Sequence, residues 1–362
     1  MTIPIQNIYY LLCYAWDKLQ EGQIVSVSPE DCQTTAELFA RVLDSGVTHL
    51  LKRGLDRDYI SEEVETSSLR GKFDVTMTIK QNLLRKSRVH CVVDSFSYDV
   101  THNCIIKATL RNLVRCRELD RDQRDCLLRL YRRLHDVSDI KLSLKDFNNV
   151  QLHRNNAWYG FLLQVCRLIY DNLLINEETG DSQFRDFLRD ERQMARLFEN
   201  FVSNFYRQEQ TEFKVKSELL RWEGVNATIE DKQFLPSMRT DVSLDSATRK
   251  IVLDTKYYKD SLQSFHGNSS VHSGNLYQLF AYLKNFYLKN IQDGDIRPIE
   301  GILLYPTTGQ SLSLNYEIHG HSIRIVTLNL DTSWKEIRQQ LLNILEPNPL
   351  KLTQPVLENP KL

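Results

Sequence analysis

The sequence predicts an α/β (α+β) protein of two domains, the second a mixed β-sheet flanked by helices, and three observations carry that reading. At 362 residues the chain is long enough to bury two sizeable cores. Its second half runs helix, strand hairpin, helix, strand, strand, helix, an order expected when helices cover a sheet. A polar stretch over 136–156, broken by Asn148-Asn149 and Asn155-Asn156, separates the halves. Domains are therefore expected over 1–150 and 151–350, with a Pro-containing tail over 351–362.

Taken in order, residues 7–19 form an apolar helix candidate, and 34–52 a second with Leu38, Val42 and Leu50 at helical spacing. Strands are expected over 58–64, 71–79 and 88–95. Helix returns over 103–134, where Ile106, Leu110, Leu113 and Val114 line one side and arginines crowd the rest. Their Asp and Glu neighbours favour a solvated face over a docking or nucleic-acid surface. Past the boundary comes an apolar helix over 161–174, then a Glu-Glu-Thr-Gly-Asp loop at 177–181. The helix over 191–208 carries Met194, Leu197, Phe198, Phe201, Val202 and Phe205 as one stripe. A helix over 275–288, strands over 301–305 and 322–328, and a helix over 334–345 complete the set.

The most informative stretch runs from Arg239 to Tyr258. Thr240-Asp241-Val242 and Val252-Leu253-Asp254-Thr255-Lys256-Tyr257-Tyr258 bracket Ser246-Ala247-Thr248-Arg249, which reads as two antiparallel strands and a short turn. Side chains alternate along a strand, so Asp254 and Lys256 take one face, Leu253 and Thr255 the other. Asp241, Ser243 and Asp245 likewise oppose Val242 and Leu244. Two carboxylates and an ammonium converge beside a buried hairpin, a suitable place for a hard divalent cation. Magnesium takes one or two carboxylates plus waters and phosphate oxygens, and it supplies what phosphodiester hydrolysis needs. Lys256 can orient the water or neutralise developing charge, and the sequence leaves both open. A loose Asp…Asp-x-Lys pattern also arises by chance, and Asp254–Lys256 on an exposed strand would be a plain ion pair.

Composition narrows the classes. The formal net charge is −1, whereas a protein that grips DNA alone through many phosphates carries a basic excess. Seven cysteines at 13, 32, 91, 104, 116, 126 and 166 include no C-x-x-C pair and read as reduced thiols of a cytoplasmic protein. No apolar run reaches the ~18 residues of a membrane span. The nine histidines show no metal-type pairing, His266 and His272 merely flanking a loop. P-loop and G-x-S-x-G motifs are absent.

The spacing of Asp241, Asp254 and Lys256 resembles the PD-(D/E)xK nuclease signature. Gln278-Leu279-Phe280-Ala281-Tyr282 stacks Gln278 and Tyr282 on one helix face and looks like the Q-x-x-x-Y element of RecB-like members of that superfamily. Its bland account is an amphipathic helix with a satisfied Gln and a core-edge Tyr. Glu199, at the edge of the 191–208 stripe, resembles the helix acid that completes the metal shell in many such nucleases, although an edge Glu is often just solvated.

Over nearly the whole chain the order of segments resembles the McrC family, nuclease subunits of McrBC restriction systems. The likeness rests on Asn7-Ile8-Tyr9-Tyr10-Leu11-Leu12-Cys13-Tyr14-Ala15-Trp16, Lys52-Arg53-Gly54-Leu55 with Asp58-Tyr59, Arg70-Gly71-Lys72-Phe73-Asp74 and Asn103-Cys104-Ile105-Ile106-Lys107. It continues through Met238-Arg239-Thr240-Asp241, Asp254-Thr255-Lys256-Tyr257-Tyr258-Lys259, Asn275-Leu276-Tyr277-Gln278-Leu279 and Leu304-Tyr305-Pro306. The resemblance implies a first domain that docks on and stimulates a McrB-like AAA+ GTPase, with GTP bound by that partner. It implies a second domain that cuts double-stranded DNA, generally modified, using Mg2+ (or Mn2+ as a substitute). Asp241, Asp254 and Lys256 match the family's catalytic positions, with Asp241, Asp254 and Glu199 as metal ligands; Glu199, Gln278 and Tyr282 come by superfamily analogy. Two rivals stand beside it: a non-catalytic adaptor of an AAA+ NTPase ring, and a RecB-like nuclease acting alone.

Overall fold

The computed structural model describes residues 3–19, 32–153, 156–175, 182–258, 263–265, 268–270, 272–307 and 311–347. The expected loop at 177–181, His266, Lys259 and the tail over 351–362 lie outside them. The chain divides into two compact units, one built from Cys32–Arg185, the other from Asp186 onward together with the N-terminal helix. The expected division near residue 150 is therefore displaced: the main break falls at 185/186, and the opening helix joins the later unit. That helix, α1 (Ile5–Ala15), is apolar nearly all round and needs cover. Its Asn7 amide donates to Leu330 O and Thr332 O, and Tyr14 donates to Glu209 Oε1 at 2.6 Å, all partners in the later unit.

In the unit Cys32–Arg185, α2 (Thr35–Arg53) starts where Thr34 caps the amide of Glu37. It packs with α4 (Arg121–Arg133) and α5 (Ala157–Asn172), and both of these pack on α3 (Thr101–Val114), which is buried on most of its surface. The single helix expected over 103–134 is two, because Asp120 caps a new start at Arg121. Strands β1 (Asp58–Thr66), β2 (Lys72–Phe73) and β3 (Val89–Ser97) form an antiparallel sheet in the order β1-β3-β2. The strand expected over 71–79 stops at Phe73. Asp74 accepts the Met77 amide as an N-cap and turns the β-branched run into a short helix, Val75–Lys80.

The later unit is built on a six-stranded mixed sheet of β4 (Lys214–Lys216), β5 (Val242–Asp245), β6 (Lys250–Thr255), β7 (Ile299–Thr307), β8 (Ser313–Ile318) and β9 (His321–Asn329). Their order is β8-β9-β7-β6-β5-β4. The β6–β7 and β7–β9 pairs are parallel, the rest antiparallel. β5 and β6 are the hairpin expected from sequence, whereas β4 and β8 escaped notice. The β6–β7 crossover is helix α7 (Ser273–Asp293), and its Leu279, Tyr282, Leu283 and Phe286 pack on Val252, Leu303 and Ile323. Gly301 lets it approach closely, since a Cβ there would meet Leu283 Cδ1 at 2.8 Å. Ile251 and Leu253 point to the other face and are also fully buried. There α6 (Glu191–Glu209) lies against β4, β5 and β6, and α8 (Trp334–Ile344) against β9. Phe201, Phe205, Tyr14 and Trp334 interlock as an aromatic cluster among α6, α1 and α8. β6 is thus buried along its whole length, so Asp254 does not stand on an exposed strand.

Candidate active site

The hairpin register pairs Leu253 with Val242 and ends there, so Asp254 and Asp241 are the next residues along the two strands. Directly opposite side chains on antiparallel strands have Cβ atoms about 5 Å apart. Asp241 is half-buried at the entrance to β5. Its Oδ2 accepts two hydrogen bonds from Thr255, from the amide at 2.8 Å and the hydroxyl at 2.9 Å. Asp254 is completely buried. The Lys256 ammonium lies 2.8 Å from its Oδ2, placed as an ion pair but not aligned as a hydrogen bond, so neither oxygen of Asp254 accepts a hydrogen bond from any described residue.

Electrostatics follow from that arrangement. Burial first, and the charge of Asp241 second, push the Asp254 carboxyl up to about 7. Burial opposes the ammonium of Lys256, but Asp254 and Asp241 outweigh it and raise its pKa. Glu199 on α6 is half-buried; burial and then Asp241 raise its pKa, with Arg239 and Lys256 working against them. The acids and the lysine feel one another's charge.

A hydrogen-bond chain fixes the lysine. Lys256 Nζ donates to Gln278 Oε1 at 3.1 Å, Gln278 Nε2 to the Tyr282 hydroxyl at 2.6 Å, and that hydroxyl to Arg239 O at 2.8 Å. Gln278 and Tyr282, one turn apart on α7, therefore reach the site together. The structure brings Asp241, Asp254, Lys256, Gln278 and Tyr282 into one constellation, with Glu199 in electrostatic range. It does not bring three acids into one ligand shell. Among the described residues no group of three or more His, Cys, Asp or Glu stands where it could hold a metal ion, so the expected set Asp241, Asp254 and Glu199 reduces to the strand pair. Asp254 and Asp241 follow the last pair of the strand ladder, whereas Glu199 comes from a separate helix. His272, the described member of the flanking pair, stacks on Tyr258 instead, with ring centroids 4.5 Å apart.

Two features escaped the sequence. Thr255 was given no role, yet its amide and hydroxyl hold Asp241. Arg249 was placed in a polar turn, yet it is buried against Glu300 at 3.0 Å. The signal for the second was available: Glu300 interrupts an otherwise apolar strand and needs a buried partner.

The later unit is thus a mixed sheet covered by helices on both faces, with two acids and a lysine at the ends of adjacent strands. The family model for the McrBC 5-methylcytosine restriction system component matches residues 7–306. A curated relative, the Type IV methyl-directed restriction enzyme EcoKMcrBC of Escherichia coli (strain K12), is 31% identical over 345 residues, covering 95% of this chain and 98% of the relative. A solved structure described as a half-complex from a tetradecameric assembly of Thermococcus gammatolerans McrB AAA+ hexamers with bound McrC has a similar fold. Its TM-score is 0.56 at 18% identity, over 94% of this chain and 77% of that one. The chain belongs to the McrBC 5-methylcytosine restriction system component family. Among the described residues no helix is long and apolar enough to cross a membrane.

Proposed function

We propose that this chain is the DNA-cutting subunit of a GTP-dependent, modification-dependent McrBC-type restriction complex, with Asp241, Asp254 and Lys256 at the reacting centre of a PD-(D/E)xK-like site. The observation that carries this reading is the buried Asp254 carboxylate, which accepts no hydrogen bond from any described residue and sits beside Asp241 and Lys256. The one ammonium of Lys256 faces the charges of Asp254, Asp241 and Glu199, and a further cation or a proton would offset the excess negative charge around this buried carboxylate. The donor set suits Mg2+, with Mn2+ as a substitute, because hard cations take carboxylate and water oxygens.

When bound, the cation supplies an acidified water and charge relief on the phosphate. Asp241 and Asp254 would hold it, with Glu199 the third acid in electrostatic reach. Lys256 keeps its proton, because its two carboxylate neighbours raise its pKa, so it acts as a positive charge toward the phosphate or the water rather than as a base. Gln278, itself held by Tyr282, gives that ammonium a second anchor and restricts its swing. The first unit docks on a McrB-like AAA+ GTPase, which binds GTP, and stimulates it. The substrate is double-stranded DNA carrying a modification. Grip and specificity then reside in the partner, in keeping with a net charge of −1.

The test compares wild type with Asp254→Ala for cleavage of methylated DNA in the presence of the GTPase partner, GTP and Mg2+. Cleavage is expected to fall at least ~10³-fold, or about 4 kcal/mol of barrier, while stimulation of GTP hydrolysis persists. Equal cleavage by both proteins would overturn the reading in favour of an adaptor. Cleavage by the chain alone, without partner or nucleotide, would favour a free-standing nuclease.

A further inference from the structure

Thr255, the last residue of β6, lies between Asp254 and Lys256, and its side chain leaves the strand on the side opposite Asp254. It is buried, 8% exposed. The β5–β6 ladder stops at the Leu253–Val242 pair, so the next amide of β6 aimed at β5, that of Thr255, has no main-chain carbonyl of β5 to meet. The carboxylate of Asp241 takes that place. The same Oδ2 also receives the Thr255 hydroxyl, so two donors at 2.8 and 2.9 Å converge on one oxygen and Oδ1 is left as the one for a cation. A β-branched side chain has few rotamers, and its χ1 is further pinned by the burial of its methyl group. An aspartate at a strand entrance has two freely turning torsions, and these two donors remove that freedom. Glu199 lies within electrostatic range and repels the carboxylate, so the orientation of Asp241 would otherwise follow solvent and salt.

We propose that Thr255 is a positioning residue for the metal-dependent reaction: its hydroxyl, acting with its own amide, locks Asp241 so that one carboxylate oxygen is presented beside Asp254. This rests on the nuclease reading above. It separates the two acids by function. Asp254 is held by burial and Lys256, whereas Asp241 is held by hydrogen bonds from a neutral neighbour whose removal leaves the charge count of the site unchanged.

The experiment titrates Mn2+ into the metal-free full chain by calorimetry. In parallel it measures the Mg2+ dependence and kcat of DNA cleavage with the GTPase partner and GTP. Thr255→Val, which keeps shape and the amide donor but removes the hydroxyl, is expected to weaken Mn2+ binding roughly tenfold, the scale of one hydrogen bond to a charged group. Most of kcat should return at saturating Mg2+, and Thr255→Ser should restore affinity to within about twofold of wild type, since it restores that bond. In an Asp241→Asn background Thr255→Val should cause no further loss of affinity. A merely structural role would lower the unfolding temperature but leave Mn2+ affinity and Mg2+ dependence where they were, and that result would overturn the proposal. Should Thr255→Val not fold, Thr255→Ala against Thr255→Ser carries the same comparison. Asp254→Ala in the same titration keeps the two readings apart. If it binds Mn2+ and cuts as wild type does, the nuclease reading itself fails. If it abolishes both while Thr255→Val changes neither, the role of Thr255 alone fails.

Discussion

Two acidic residues lie fully buried in the same sheet, Asp254 in β6 and Glu300 in β7, and their surroundings differ in sign. Glu300 has Arg249 at 3.0 Å from Oε1 and Arg324 at 3.5 Å from Oε2, an excess of positive charge. That excess is absorbed by carbonyls at the end of α8: Arg324 donates to Ile344 O and Glu346 O, and Arg249 to Leu345 O. The helix C-terminus favours cations, so the charges of this cluster are balanced, although Glu300 Oε2 is held by the charge of Arg324 at 3.5 Å and accepts no hydrogen bond. Around Asp254 the balance is opposite, with Asp241 and Glu199 beside it and one lysine between them. That cluster is left with an excess of negative charge. The difference separates a charged group that fastens an element from one that awaits a ligand, although burial alone marks both.

The comparison breaks most sharply at Glu300. Replacing it by Ala leaves two buried arginines facing each other without a counter-ion, expected to cost about 3–5 kcal/mol of stability. Denaturant unfolding of the purified chain measures it. Mn2+ affinity should be unchanged at temperatures where the variant remains folded, because Arg249 and Arg324 anchor α8 and not the hairpin acids. A loss of metal affinity without a loss of stability would erase the distinction.

The next effect has the reverse sign. Asp254 has an ordinary value of 3.8 and is raised to about 7 in the folded protein. The folded state therefore holds its proton more tightly than the unfolded state. The contribution is full below pH ~4 and is lost as pH rises toward 7. Metal-free wild type should lose stability over that window, whereas Asp254→Asn should not. Above pH 7 the variant is expected to be the more stable, by on the order of 1–3 kcal/mol, with the two curves meeting near pH 4. Divalent cation should raise the wild-type curve at pH 8 and leave the variant where it was. Thermal melts at pH 4, 6 and 8, with and without Mn2+, check all three statements.

How much of this could be read beforehand follows from which interactions are local. The Asp241–Asp254 pairing was legible because turn and alternation are properties of neighbouring residues, and Ser246 to Arg249 marked the turn. The i, i+4 spacing of Gln278 and Tyr282 was legible for the same reason. The break at residues 71–79 was not, since Val75, Thr76 and Ile79 favour strand and a single cap at Asp74 decides otherwise. The division between units was also hidden: α1 belongs with residues more than 300 positions along the chain, through Asn7 to Leu330 and Thr332. The Thr255–Asp241 contact was not legible because alternation gives the face a side chain takes, not the hydrogen bonds that it and its amide make past the end of the ladder. Glu199 was placed on its helix from the apolar stripe, but how far that helix carries its carboxylate from the strand acids depends on packing that sequence does not show.

The smallest expected effect sharpens the open cluster from its far end. Tyr282→Phe removes the hydroxyl that joins Gln278 Nε2 to Arg239 O and leaves the buried ring in its place against Leu283 and Phe286. The stability cost should be about 1 kcal/mol, one hydrogen bond lost from a buried partner. Gln278 is itself exposed, so without Tyr282 its amide is free to turn, and Lys256 keeps one anchor, Asp254, instead of two. If the chain of three bonds serves the lysine, kcat for DNA cleavage should fall several-fold with Mn2+ affinity unchanged, because the acids are untouched. Gln278→Ala should then cause the same loss, and the double variant no more than either single one, since consecutive links of one chain are not additive. Additive losses would mean that Tyr282 acts by bracing Arg239 and the entrance to β5, and the relay to Lys256 would be set aside.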